Sequence, residues 1–156
     1  MFNIQNKYTE HGCYRFLDNE AKTIYIGVSK NVHTRLFSQH FKKGFGHLDN
    51  ECYESTCKIE IIKCKDYAQA LSLEQYLIDK YVPRWNKKDK RKDIFNSINF
   101  DNIDYYKKLE RWNLYYTFRE YDKHKIQTNR KQNILALAST FIFFIMLISY
   151  MLKGFL

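Results

Sequence analysis

The residues from Ile134 to Leu152, ILALASTFIFFIMLISYML, run for 19 positions without a charged side chain. As a helix rising about 1.5 Å per residue, the run reaches roughly the 30 Å thickness of a bilayer's hydrocarbon core. A helix buried in a globular core rarely stays apolar on every face for that length, so the run reads as a transmembrane helix. It leaves residues 1–133 to build the rest of the fold. Lys123, Lys125, Arg130 and Lys131 precede the run and only Lys153 follows it. By the positive-inside bias, this places the N-terminal bulk of a single-pass protein in the cytoplasm. The opening MFNIQNKYTEHG holds no long apolar stretch, so no secretory signal is expected. With four residues after Leu152, the expected insertion is post-translational, as a C-terminal tail anchor.

Before the run stand 25 basic and 17 acidic side chains, a charge of +8 out of the chain's +9. Such a balance favours an anionic partner, either nucleic acid or anionic lipid. With 45% hydrophobic residues, 17% aromatic, and only 5 Gly and 1 Pro, the chain can fill a core, which excludes wholesale disorder. At 156 residues it holds one ordinary domain plus an extension, which excludes a large multidomain enzyme.

Two short runs rich in aromatic and β-branched residues, 12–17 (GCYRFL) and 23–28 (TIYIGV), flank the polar DNEAK and read as a β-hairpin. A helix follows in NVHTRLFSQHFKK, with Val32, Leu36 and Phe37 or Phe41 at helical spacing and Asn31 as N-cap. Gly44 and Gly46 mark a loop, and Thr56–Cys64 reads as a third strand. Asp66 and Gln69 form a capping-box pattern, and the helix they open ends before Pro83. Residues 8–86 are thus expected to form a mixed α/β domain. Residues 87–133 are expected to be a basic, aromatic linker, with a helix from Asp101 bearing aromatics at 105, 106, 112, 115, 116, 118 and 121.

Glu74 falls among Ala70, Leu71, Leu77 and Ile78, so on a helix its carboxylate projects from the apolar stripe. It is either a rim glutamate reaching solvent or a metal ligand. Arg35 borders the apolar face of the first helix, as a surface charge or a site group. Tyr14 and Tyr25 lie on the two hairpin strands, where tyrosine also serves as a cross-strand packing residue. Cys13, Cys52, Cys57 and Cys64, with His47 nearby, lack the paired short spacing of a zinc knuckle and read as reduced thiols.

Taken in order, Gly12-Cys13-Tyr14, then Tyr25-Ile26-Gly27, then Arg35, Glu74 in ALSLEQYLIDKY and Asn86 in PRWN resemble the GIY-YIG nuclease family. The resemblance spans about residues 12–86. It departs at Cys13, where the family has isoleucine, and at Gln39, which stands one turn after the arginine where the family carries histidine or tyrosine, with His40 next. The resemblance implies a three-stranded central antiparallel sheet flanked by helices and a metal-dependent endonuclease acting on DNA, with RNA as a further possible substrate. It also implies Glu74 as the ligand of one Mg²⁺ or Mn²⁺, Arg35 as a clamp on the scissile phosphate, and Tyr25 and His40 as positioning groups. Tyr14 would act as or assist the general base, Lys30 and Gln39 would help bind substrate, and Asn86 would close the site. No small-molecule cofactor is expected. The competing reading is a catalytically inactive module of this fold that tethers DNA to a membrane. Under either, residues 87–133 can also meet anionic lipid.

Overall fold

The computed structural model describes residues 6–42, 46–86, 103–119, 122, 135–143 and 145–146. Strand β1 (Gly12–Leu17) and strand β2 (Thr23–Ser29) form the expected hairpin. Its turn is held by Asp18, whose Oδ1 accepts from the backbone N–H groups of Glu20 and Lys22 at 3.0 and 2.9 Å. Helix α1 (Val32–Thr34) is capped by Asn31, whose side chain accepts from Thr34 N at 2.9 Å, and runs directly into a π-helical turn, Arg35–His40. Helix α2 (Asn50–Ser55), strand β3 (Lys58–Lys63) and helix α3 (Tyr67–Tyr81) follow. The last described elements of this unit are helix α4 (Ile103–Leu109) and strand β4 (Asn113–Thr117).

The antiparallel sheet has four strands in the order β2-β1-β3-β4, not three. The fourth comes from the segment expected to be helical. That helix stops at Leu109, and Asn113–Thr117, with two tyrosines and a threonine suited to a pleated surface, pairs with β3. Without it, β3 would present an open edge. Helix α2 was also unanticipated, since its six residues are too few to display helical periodicity.

The sheet divides two cores. Tyr14, Phe16, Tyr25, Ile59 and Ile61 face Val32, Leu36, Phe41 and Tyr53 on one side. On the other, Cys13, Ile26 and Ile62 meet Ala70, Leu73, Leu77 and Ile78 of α3. Helix α3 begins where the sequence placed it. Asp66 accepts from Gln69 N at 2.8 Å, while the Gln69 side chain accepts from Lys65 N at 2.8 Å, one residue earlier than the usual reciprocal bond. It ends on Val82 in the left-handed region (φ 45°), its N–H donating to Ile78 O at 2.9 Å, because the residue before Pro83 cannot continue the helix.

Beyond α3 the chain returns to β2. Trp85 N donates to Ile24 O at 3.1 Å, and the Asn86 side chain pairs with both the N–H and the C=O of Ile26. The outer edge of β2 is therefore covered by two residues acting as a short strand surrogate. On the α3 face, Arg15 pairs with Glu60 at 2.6 Å and lies 4.3 Å from the Trp112 ring.

Residues 87–102 and most of 120–133 lie outside the described residues, as do 134, 144 and 147–152 of the expected span. Within that span, 135–143 and 145–146 are helical. Among the described residues, no helix is long and apolar enough to cross a membrane.

Candidate active site

Tyr14 lies mid-strand on β1, opposite Gly27 of β2. A Cβ at position 27 would stand 2.5 Å from the Tyr14 hydroxyl oxygen and 2.6 Å from its Cζ. The absence of a side chain there is what lets the phenol lie across the neighbouring strand. The residue before it points to the other face, where Cys13 Sγ donates to Ala70 O at 3.1 Å. The cysteine thus fills the isoleucine position of the motif as a small core side chain.

The π-helical turn decides which residue follows the arginine into the site. Its closing bond runs from Phe41 N to Leu36 O at 2.9 Å, an i+5 rather than an i+4 step. The extra residue rotates His40 inward, 1% exposed, with Nε2 at 2.8 Å from Tyr14 Oη. Gln39, at the ordinary i+4 position, stays at the surface and accepts from Arg35 Nη1 at 2.6 Å. Arg35 therefore bridges inside and outside, its Nε donating to Tyr14 Oη at 3.4 Å.

Behind His40 stands Tyr53 of α2, whose Oη is 3.0 Å from His40 Nδ1. Tyr25 packs against this group, with its ring 5.7 Å from that of His40 and 6.2 Å from that of Tyr14. The His47 ring lies against that of His40, 5.0 Å between centroids and tilted by 44°. Burial, aided by the charges of Arg35 and His47, lowers the His40 imidazole to about 3, so it is neutral at physiological pH. Burial, then the neighbouring Tyr25, pushes the Tyr14 phenol well above its ordinary value, and Arg35 opposes that push. Tyr25 is raised by burial first and by the Glu74 carboxylate second.

Glu74 is 3% exposed on α3 and faces a cleft of about 400 Å³. Val28, Ser29, Lys30, Arg35, Gln39, Tyr67, Leu71 and Gln75 complete its lining. The cleft opens at the β2 end of the sheet, where the two covering layers meet. The α1 side supplies the guanidinium and α3 the carboxylate. Lys30 sits at the mouth with its Nζ 5.1 Å over the Tyr67 ring. Tyr14 and Tyr25 do not line the cleft; they lie behind it, joined to it through Arg35. Asn86 does not reach it either, since its amide is spent on Ile26. Its place in the site is to fix β2, which carries Tyr25 and Gly27.

Three residues of this arrangement were not among the expected residues of the nuclease site: Tyr53, His47 and Gln75. The first two sit in a segment with no motif or periodic pattern, and Gln75 is hidden beside Glu74 in an ordinary helical stripe. Gln75 is 5% exposed, and its Oε1 is buried with no hydrogen-bond partner. Glu74 and Gln75 both line the cleft, and a buried carboxylate is a hard oxygen donor that suits Mg²⁺ or Mn²⁺ keeping several waters. Among the described residues, no group of three or more His, Cys, Asp or Glu side chains gathers into an all-protein metal cage.

The family described as the UvrC-like GIY-YIG domain matches residues 10–87. The UvrABC system protein C of Methanococcus maripaludis is 31% identical over 105 residues, 66% of this chain and 20% of that protein. Its counterpart in Borrelia duttonii is 37% identical over 77 residues, 49% of this chain and 13% of that protein. The chain thus spans a fifth or less of the length of these curated relatives. Among solved structures, the GIY-YIG N-terminal endonuclease domain of UvrC from Thermotoga maritima, bound to its catalytic divalent cation magnesium, is 31% identical. It covers 52% of this chain and 88% of that one, with a TM-score of 0.43.

Proposed function

Because this chain belongs to the UvrC-like GIY-YIG nuclease family, we propose that it is a metal-dependent endonuclease hydrolysing phosphodiester bonds in DNA. One observation carries the reading: a buried carboxylate, Glu74, faces a guanidinium, Arg35, across a single cleft, and Arg35 contacts the Tyr14 hydroxyl behind it. Hydrolysis needs an activated water, charge neutralisation on the nonbridging oxygens and help for the departing oxygen. Glu74 would hold a Mg²⁺ or Mn²⁺ ion that supplies charge stabilisation and assists the leaving group.

The chain's own residues do the rest. Arg35 clamps the scissile phosphate. Its present partners, Tyr14 and Gln39, are neutral, and an anionic phosphate competes for the guanidinium with a charge-assisted bond. Arg35 turns its Nη groups to the phosphate while its Nε stays on the Tyr14 oxygen, and once the phenol has released its own proton to solvent, that oxygen takes a proton from the attacking water as general base. Tyr25 and His40 hold Tyr14 in place, and Lys30 and Gln39 meet the flanking backbone. Asn86 acts through β2 and has no contact with substrate in this scheme.

The reading extends to membrane attachment with the catalytic domain facing the cytoplasm. Its support is the uncharged run 134–152 and the apolar side chains of its described helical residues, where Leu137, Phe141 and Phe143 are 67–71% exposed. A chain that leaves membranes on alkaline carbonate washing would refute the anchor.

The test of activity is nicking of supercoiled plasmid, branched DNA and RNA by the full-length chain in detergent, with Mg²⁺ or EDTA, beside Glu74→Ala and Arg35→Ala. Cation-dependent cutting lost in both folded variants supports the enzyme. Tight, salt-sensitive DNA binding without cutting supports the inactive tether instead.

A further inference from the structure

The chain of hydrogen bonds ending at Tyr14 begins at a residue outside every motif. Tyr53 is 1% exposed on α2, with its Oη 3.0 Å from His40 Nδ1. Leu48 N–H donates to the same oxygen at 3.3 Å. Gly46 lies so close that any Cβ there would overlap the phenol. Helix α2 and the 46–48 loop together press this hydroxyl against one particular ring nitrogen.

The neutral imidazole allows two proton arrangements. In one, Tyr14 donates to Nε2 and Nδ1–H donates to Tyr53. In the other, Tyr53 donates to Nδ1, and Nε2–H donates to Tyr14. Arg35 Nε and Leu48 N are donors in either case. The first arrangement sends the Tyr14 proton onto His40 when the phenol ionises, creating an imidazolium beside Arg35 and His47. Burial and those two neighbours resist that cation, since the imidazole takes up a proton only at about pH 3. The second creates no new cation. The phenol proton leaves to solvent, and the oxygen left behind accepts two N–H bonds, from Arg35 and from His40.

We propose that Tyr53 is a positioning residue whose hydroxyl donates to His40 Nδ1, holds the ring proton on Nε2, and so makes His40 a second N–H donor to the Tyr14 oxygen. This deepens the reading of Tyr14 as general base and rests on it. It assigns the inward turn of His40 a chemical purpose, since a glutamine at position 39 pointing outward cannot reach either tyrosine.

The test uses the full-length chain in detergent with ¹⁵N-labelled histidine and ¹³Cζ-labelled tyrosine. Ring ¹H–¹⁵N correlations distinguish the two tautomers without any substrate. The expected result is the Nε2–H form for His40 in the unaltered chain, and a mixed or Nδ1–H form in Tyr53→Phe, with the Tyr14 phenol titrating at higher pH. In cleavage, Tyr53→Phe lowers kcat about tenfold, the loss of one transition-state hydrogen bond. KM stays unchanged and the alkaline shift appears in the kcat profile. The conservative His40→Gln, whose amide still offers an N–H, retains more activity than His40→Ala. An Nδ1–H tautomer in the unaltered chain, or a Tyr14 titration indifferent to Tyr53→Phe, overturns the proposal. If no variant cuts DNA, the nuclease reading fails, while the tautomer and titration still decide the role of Tyr53.

Discussion

Acid should destabilise this domain through His40, by an amount that follows from its burial. In the folded chain the imidazole ionises at about 3, against an ordinary value of 6.5. Between those pH values the unfolded chain binds a proton that the folded chain refuses, so stability falls as pH falls. The loss begins as pH drops through 6.5 and ends near 3. It accrues at about 1.4 kcal/mol per pH unit, or about 2.7 kcal/mol between pH 7.5 and pH 4.5. Other groups act in the same direction. His33 is lowered by burial and by Lys7, and the Glu110 carboxyl is held low by Lys80, Tyr81 and Trp112 against its own burial. The informative quantity is therefore a difference between two chains. Urea unfolding followed by tryptophan fluorescence at pH 7.5, 6.0 and 4.5 would compare the unaltered chain with His40→Gln. The variant cannot titrate there, so its stability should decline less, by about 2.7 kcal/mol over the interval. Parallel decline of the two chains would refute the claim that His40 is held neutral in the core.

Three substitutions probe the frame around the site. Gly27→Ala drives a methyl to 2.5 Å from the Tyr14 hydroxyl. It should cost about 2 kcal/mol in unfolding free energy and displace Tyr14 enough to remove cleavage. Asn86→Ala strips both hydrogen bonds from Ile26. It should lower stability by about 2 kcal/mol, with a loss of kcat larger than any change in cation affinity, as measured by titration calorimetry. Arg15→Ala removes the Glu60 ion pair and the stacking on Trp112, on the face of the sheet away from Tyr14. It should lower the thermal midpoint by the equivalent of about 2 kcal/mol while leaving the per-molecule cleavage rate intact below that midpoint.

How much of this was legible varied with how local the determinant was. The hairpin and α3 were readable because a polar turn, an Asp66 cap and Pro83 are signals contained in a few residues. Strand β4 was not, because the aromatic spacing of Tyr105 to Tyr121 satisfies a helix about as well as a strand. What decides is the open edge of β3, more than fifty positions away in the chain. Helix α2 fell below the length at which periodicity speaks. Glu74 was readable as a carboxylate in an apolar stripe, but its place across a cleft from Arg35 depends on how α3 lies on the sheet.

The residue after the arginine illustrates the limit most sharply. Counting one α-helical turn from Arg35 arrives at Gln39, and the motif then looks broken. Nothing in RLFSQH announces a π turn. The insertion is favoured by its surroundings: Leu36 and Phe41 are both buried in the core beneath the sheet, and His40 finds hydrogen-bonding partners on both of its nitrogens. In a regular α-helix the inward position would fall to the glutamine, leaving Tyr14 and Tyr53 without their shared imidazole. The less regular backbone is offset by two buried hydrogen bonds, each worth about 1 kcal/mol net and more if left unmade. A histidine one residue late in the sequence is on time in the structure, and the motif is complete in space where it is displaced in the chain.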